Sequence, residues 1–311
     1  MANPYLGVDP MLTRTAIAYS NERMIADAIF PELAVKKQSG KHFVYDRGRF
    51  RVEETERASG ANSKEVTLAL TTGSTYFAED HALRQFVADE DRDNAITPTT
   101  PMVDATENVM DMLKIAKEKQ LADLITSTGN LTQNTTLSGT DQWSDYNNSD
   151  PFDDIETGMQ TVHSAIGMNP NTAIIGKEVF DKLKHHPDLL ERVKYSERGV
   201  ITEDMLAALI GVERVLIGGA YYTSSVEGQT EATSYVWGKN VVLSFVPNRI
   251  GQKMIGLGLT YRWDAKNLQV KKLRGSDEED REGTYVRAGG WYYDQKLVAA
   301  AAGYLVKNAV A

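Results

Sequence analysis

Apolar and polar residues alternate with a period of two at both ends of the stretch 41–80. Phe50 and Val52 are set among Arg47, Arg49, Arg51 and Glu53, and Val66, Leu68 and Leu70 among Thr67, Ala69 and Thr71. This pattern predicts a two-stranded hairpin with one apolar face. Its connection is long, carrying Glu53, Glu54, Glu56, Arg57, Lys64 and Glu65 around the small residues Ala58-Ser59-Gly60-Ala61-Asn62-Ser63. Arms of about 14 residues at ~3.3 Å each reach about 45 Å. A compact chain of this length has a radius of gyration of only about 20 Å. An isolated hairpin is marginal in water, so the apolar face needs a cover, and another copy of the chain could supply it.

The period changes to three and four over 101–128, where Ala105, Val109, Met112, Leu113, Ala116, Leu121, Leu124 and Ile125 recur as one stripe. Thr100 and Pro101 suit a helix start and Gly129 a stop,. Such a helix is about 42 Å long, a strut rather than a core filler. Upstream, residues 16–30 predict a short helix in an arm packed on something else.

Residues 150–250 read as an α/β unit. Asp150-Pro151 opens a helix whose stripe is Ile155, Met159, Val162 and Ile166 and whose end is Gly167,. Short helices are expected over 178–183, 187–193 and 203–209, and strands over 172–175 and 212–217. Segments 235–237 and 241–246 suggest a hairpin around Gly238-Lys239-Asn240. After 256 the chain is β-rich: Leu257, Leu259, Tyr261 and Trp263 alternate, and shorter strands are expected over 268–273, 285–287, 291–293 and 303–306. No internal repeat or low-complexity tract is visible.

Composition narrows the function classes. With 41% hydrophobic residues, wholesale disorder is excluded,. Thirty-four Lys and Arg against 43 Asp and Glu leave −9, the opposite of a chain that grips phosphates with a basic face,. Zero cysteines exclude a disulfide scaffold, a zinc ribbon and a thiol nucleophile,. The first ten residues lack a basic region followed by an apolar stretch, so no signal peptide is expected,. The apolar run 297–302 is far short of the roughly 18 residues of a membrane helix,. The chain reads as soluble and cytoplasmic.

Catalytic and metal-binding candidates fare poorly. His185-His186 cannot share a helix face as an i, i+4 metal pair would, and they read as a solvated helix end,. Asp89, Asp91 and Asp93 echo a calcium loop, but Asn94 and Thr100 stand where Gly and Glu are required, so a polar loop is expected,. Gly256-x-Gly258 lacks the third small residue of a dinucleotide fingerprint, and Gly176-Lys177-Glu178 lacks the spacing of a phosphate loop,. His163 and Ser164, as neighbours on a helix, point apart. The acidic run 277–282 reads as a solvated loop, and Arg47, Arg49 and Arg51 beside Glu53, Glu54 and Glu56 as a mixed-charge interface,. Nothing nominates an active site.

A protruding hairpin, a long single helix, an α/β unit and a β-rich return form an order that resembles the major capsid proteins of tailed bacteriophages, with the Hong Kong 97-type fold. The stretch 143–151 (WSDYNNSDP), 171–176 (NTAIIG), 200–209 (VITEDMLAAL), 235–239 (YVWGK) and 303–310 (GYLVKNAV) look like segments of that family. The resemblance implies an α+β fold in which 1–40 is an N-terminal arm and 41–80 an extended loop lying across a neighbouring subunit. It further implies a peripheral domain over 81–150 with a spine helix at 101–128, an axial domain over 151–250, and strands over 251–311 that complete the peripheral domain. The expected inter-subunit contacts are Arg47, Arg49, Phe50, Arg51, Glu53, Glu54, Glu56, Arg57, Lys64 and Glu65.

The implied function is structural: self-assembly into the hexamers and pentamers of an icosahedral head, built in the host cytoplasm and ending in the virion. No catalytic residue, cofactor, metal or membrane is expected. The implied partners are copies of the chain, a separate scaffolding protein, a portal protein, a decoration protein, and double-stranded DNA enclosed without sequence-specific binding. The Lys–Asn cross-linking motif of some relatives is not matched here. An encapsulin-like nanocompartment shell shares the fold and stands as the alternative, with a soluble two-domain enzyme as the rival from another class.

Overall fold

Two β-sheets, bridged by one long helix, organise the chain in the computed structural model. It describes residues 5–8, 24–45, 52–53, 55–60, 62–66, 70–95, 100–193, 201–225, 229–230, 232–249, 251, 255–274 and 282–311. In chain order the elements are β1 (Tyr5–Val8), α1 (Ala26–Ile29), β2 (Glu32–Val35), β3 (Ser39–Tyr45), β4 (Leu70–Phe77), β5 (Glu79–Ala88), α2 (Asp89–Asp93) and α3 (Pro101–Ile125). There follow β6 (Asn134–Thr136), α4 (Pro151–Ile166), β7 (Thr172–Gly176), α5 (Lys177–Leu183), α6 (Pro187–Val193), α7 (Glu203–Ile210) and β8 (Arg214–Gly218). The remainder is β9 (Tyr221–Thr223), β10 (Thr233–Tyr235), β11 (Val241–Ser244), β12 (Gly258–Trp263), β13 (Gln269–Leu273), β14 (Gly283–Leu297) and β15 (Gly303–Lys307).

The first sheet is built on β14. One edge pairs first with β13, Tyr285 opposite Leu273, and then with β12, Leu297 opposite Gly258. β5 runs along the other edge, and β1 and β2 extend the sheet beyond β13 and β12. Two strands were expected across 285–293; the structure has one of 15 residues. Its pairing with β5 skips between Ala288 and Trp291, and Gly290 takes φ 79°, so the glycines make a bulge rather than a break,.

The second sheet has the order β6-β15-β11-β7-β8. β11 lies antiparallel between β7 and β15, and all four of its residues are buried. The hairpin expected between 235–237 and 241–246 is therefore absent. β10 pairs with β9 instead, while β11 has the continuous apolar run of a strand covered on both faces,. The expectation that all strands after 251 join the long helix's sheet also fails at the last one. β15 crosses to the centre of this second sheet, because Tyr304, Leu305 and Val306 are apolar on both faces. Helix α4 covers that sheet, capped by the Asp150 carboxylate on the N–H groups of Phe152 and Asp153, and closed by Gly167 at φ 73°,.

Helix α3 is three residues shorter than expected, ending at Ile125, and spans about 37 Å,. Ala105, Val109, Met110 and Leu113 pack on Val87, Val270, Val286 and Ala288 of the first sheet. Leu121, Ala122 and Ile125 pack with Ile174, Val242, Leu257 and Leu305, so one helix serves both cores. The expected stripe is displaced: Met112 is 53% exposed and Ala116 faces solvent, while Lys117 and Glu118 are buried. Of the arm helix expected over 16–30, the described part is a single turn, α1.

Candidate assembly surface and buried polar centres

Three groups of residues carry the chemistry of this fold. The first is the extended loop. β3 and β4 pair antiparallel from Ser39 opposite Phe77 to Tyr45 opposite Leu70, nearer the base than the expected strands. Residues 52–53 and 62–66 carry no strand pairing. The base is fixed to the first sheet by Tyr76, whose ring stacks on Tyr261 at 4.3 Å, and by the Phe77 N–H donating to Asp294 at 2.9 Å. Gly40 lies beneath the Tyr76 ring, where a Cβ would come within 2.5 Å of its hydroxyl.

At the described tip, Val52 is 96% and Val66 60% exposed. Lys64 pairs with Glu53 at 2.7 Å, and Glu56, Arg57 and Glu65 face solvent. Of the expected contact residues, Glu53, Glu56, Arg57, Lys64 and Glu65 thus share one largely exposed loop; Arg47, Arg49, Phe50, Arg51 and Glu54 lie outside the described residues.

The second group was not found from the sequence. Glu118 of α3 is fully buried, and its carboxylate accepts from the Ile25 N–H at 3.0 Å, the Ala26 N–H at 2.8 Å and the Trp237 indole N–H at 2.6 Å. Burial pushes this carboxyl above its ordinary pKa, and the three donors oppose that rise,. Its neighbour Lys117 reaches Asp27 at 2.5 Å and Glu32 at 3.0 Å, under the rings of Trp291 and Tyr293,. Together the two residues tie the arm segment 24–32 to α3 and to the Trp237 turn. The available signal was positional: Lys117 stands four residues from both Leu113 and Leu121, on the apolar stripe itself.

The third group corrects half of the reading of His185-His186 as a solvated helix end: His185 is exposed, but His186 is not. The side chain of His186 is fully buried, packed edge-on to Tyr146. Its Nε2 is 3.3 Å from Ser149 Oγ and its Nδ1 3.6 Å from the Asp188 carboxylate. The trio has the outline of a nucleophile–base–acid array but the wrong proton inventory. The Asp188 N–H donates to Nδ1 and Ser149 Oγ donates to the Asp145 carbonyl, which leaves the imidazole proton on Nε2,. A ring that donates to the hydroxyl cannot deprotonate it. Burial also holds His186 below its ordinary pKa.

The other candidates resolve simply. Asp89, Asp91 and Asp93 sit on the short helix α2 rather than in a loop, with Asp89 paired to Arg92 and Arg274 at 2.9 Å each. His163 and Ser164 are both exposed, and Ser164 Oγ donates to the Thr161 carbonyl. Gly258 starts a strand, and Gly176 ends one. Of the acidic run 277–282, only Glu282 is described. Among the described residues no group of three His, Asp or Glu is placed to hold a metal ion, and no helix is long and apolar enough to cross a membrane.

Comparison with known proteins gives this arrangement its context. Residues 109–254 match the family described as phage major capsid protein E. The major capsid protein of Burkholderia phage BcepMu is 31% identical over 310 residues, covering 97% of this chain and 96% of the relative. A phage-related protein from Bordetella bronchiseptica RB50 superposes with a TM-score of 0.76 at 26% identity, with 97% of each chain covered. The capsid structure of cyanophage P-SCSP1u, at 10% identity, shares the fold with a TM-score of 0.59 over 89% of this chain and 86% of that one. The two large sheets, the β3–β4 hairpin and the long helix among the described residues, together with a full-length relative above 30% identity, establish that the chain belongs to the phage major capsid proteins and has the Hong Kong 97-type α+β fold.

Proposed function

We propose that this structural phage shell protein forms the hexamers and pentamers of an icosahedral head, with the extended loop of each subunit lying across its neighbour. The observation that carries this reading is the pair Val52 and Val66, apolar side chains exposed on a loop that its own subunit does not cover,. In a shell of many copies, individually modest contacts of this kind hold by multivalency.

In this reading residues 1–40 are the arm, 41–80 the extended loop, and 81–150 with strands β12 to β14 the peripheral domain around α3. Residues 151–250 form the axial domain, completed by β15. Scaffolding, portal and decoration proteins are the expected partners, and assembly takes place in the host cytoplasm. The −9 charge suits a wall that encloses double-stranded DNA without gripping its phosphates,. The full-length phage relatives favour this reading over a cargo-holding nanocompartment.

Expression of the full chain tests it directly. Closed shells under negative stain, sedimenting far above a small oligomer, are expected; a chain that stays a monomer or small oligomer under all assembly conditions overturns the proposal. A triple charge reversal, Arg47→Glu with Arg49→Glu and Arg51→Glu, is expected to reduce shell yield at least tenfold. In this reading the three changes act on contacts between subunits and together cost the unassembled subunit no more than about 1.5 kcal/mol, so it should melt within about 5 °C of the parent. Equal losses in melting and assembly would place these arginines in the subunit's own packing.

A further inference from the structure

The extended loop is anchored through a buried histidine that the assembly reading does not use. His42 lies where the β3–β4 register shifts by one residue, between Lys41 opposite Thr75 and Phe43 opposite Thr72. Its residue exposure is 3%, and its Nδ1 is 2.5 Å from the hydroxyl of Tyr261, itself buried on β12. Its Nε2 is buried with no hydrogen-bond partner among the described residues.

Proton accounting fixes the arrangement. If Tyr261 donates to Nδ1, the imidazole proton sits on Nε2 and one donor is left unsatisfied. The opposite direction leaves both the tyrosine proton and the Nε2 lone pair without partners, which is worse. A protonated ring would leave two buried donors unsatisfied and place a charge in a mainly apolar and aromatic site. We propose that His42 is an acid-released latch: its neutral imidazole, by accepting from Tyr261, holds the base of the extended loop on the first sheet, and its protonation frees that base.

Among the described residues no carboxylate lies within hydrogen-bond or ion-pair reach of the ring. Tyr76 on β4 and Tyr261 on β12 are neutral phenols. Asp294 on β14 is committed to the Phe77 N–H at 2.9 Å and lies 3.6 Å from Lys296. Lys36, Lys37 and Lys41, on β3 and the turn before it, are exposed cations. Burial alone holds His42 below its ordinary pKa. The sign follows: a native pKa below the unfolded value of about 6.5 keeps the anchor at full strength above that pH. The anchor then weakens as the pH falls toward the native pKa, with local opening rising up to about tenfold per unit.

Hydrogen exchange of the full chain in its unassembled form tests the latch. Corrected for intrinsic rates, opening of 39–45 and 70–77 should rise about fivefold or more between pH 7.5 and 5.5, while β7 and β11 stay protected. His42→Gln keeps an oxygen to accept from Tyr261 and carries no charge, so its loop opening should be independent of pH; His81→Gln should retain the acid response. A flat response in the parent chain, or an acid response that survives His42→Gln, overturns the proposal. If the variant does not fold, a histidine NMR titration of the parent decides: the latch requires His42 to titrate below about 6.5 with the same midpoint as loop opening, and an ordinary midpoint refutes it. The consequence for shells rests on the assembly reading, whereas the exchange result does not. Absence of shells with an intact acid response would overturn only that reading.

Discussion

Deleting residues 53–65 is expected to leave a folded subunit that no longer closes into shells. The base of the loop keeps its pairing between Ser39–Tyr45 and Leu70–Phe77 and its contacts with Tyr261 and Asp294, because these lie outside the deletion. The described residues among those lost are exposed apart from the partly buried Glu53, so the subunit gives up little of its own packing. The interface loses far more. Cutting the loop short removes the setting that presents Val52 and Val66, and covering each valine fully is worth about 1.5–3 kcal/mol. That loss recurs at every loop in the shell. Thermal melting of the unassembled chain should move by no more than a few degrees, while negative stain shows no closed particles. Normal shells from the deletion would end the assignment of this loop to the inter-subunit contact.

Glu118→Ala is expected to be among the most damaging single substitutions in the chain. It removes one buried carboxylate and strands three buried N–H groups, those of Ile25, Ala26 and Trp237. Each orphaned donor costs about 1–3 kcal/mol, and the relief of no longer burying a charge offsets part of the sum, so a net loss of about 3–5 kcal/mol is expected. Denaturant unfolding of the unassembled subunit measures this, and limited proteolysis should cut first near residues 24–32. Glu118→Gln should fall between parent and alanine, because its amide keeps one acceptor but turns a donor toward other donors. A loss under about 1 kcal/mol for the alanine variant would show that the arm is held by its apolar contacts instead.

The parts of this fold that were legible in sequence share one property: each has its own local signal. Helix α4 announced itself through Asp150-Pro151 at one end, Gly167 at the other and the stripe of Ile155, Val162 and Ile166 between. The β12 alternation and the loop on the connection 53–65 were equally plain. What failed was decided by partners remote in sequence. Val241–Ser244 carries no mark that its neighbours are residues 172–176 and 303–307 rather than 235–237. Lys117 and Glu118 were missed because charge ordinarily marks a solvent-facing position; here the acceptors and donors of residues 25–32 and Trp237 make burial tolerable,. His186 was misplaced for the same reason, since the Ser149 hydroxyl and the Tyr146 ring that bury it come from about 40 residues upstream.

The position of β15 sets a constraint on manufacture. It is held between β6 and β11, beyond which lies β7, so the second sheet stays split until residues 303–307 exist. About 130 residues of chain separate β7 from β15, a synthesis interval of roughly 6–25 s at about 5–20 residues per second,. A chain interrupted anywhere before residue 303 leaves β6 and β11 as bare edges and cannot complete that sheet. A truncated copy therefore has no complete second sheet to offer its neighbours.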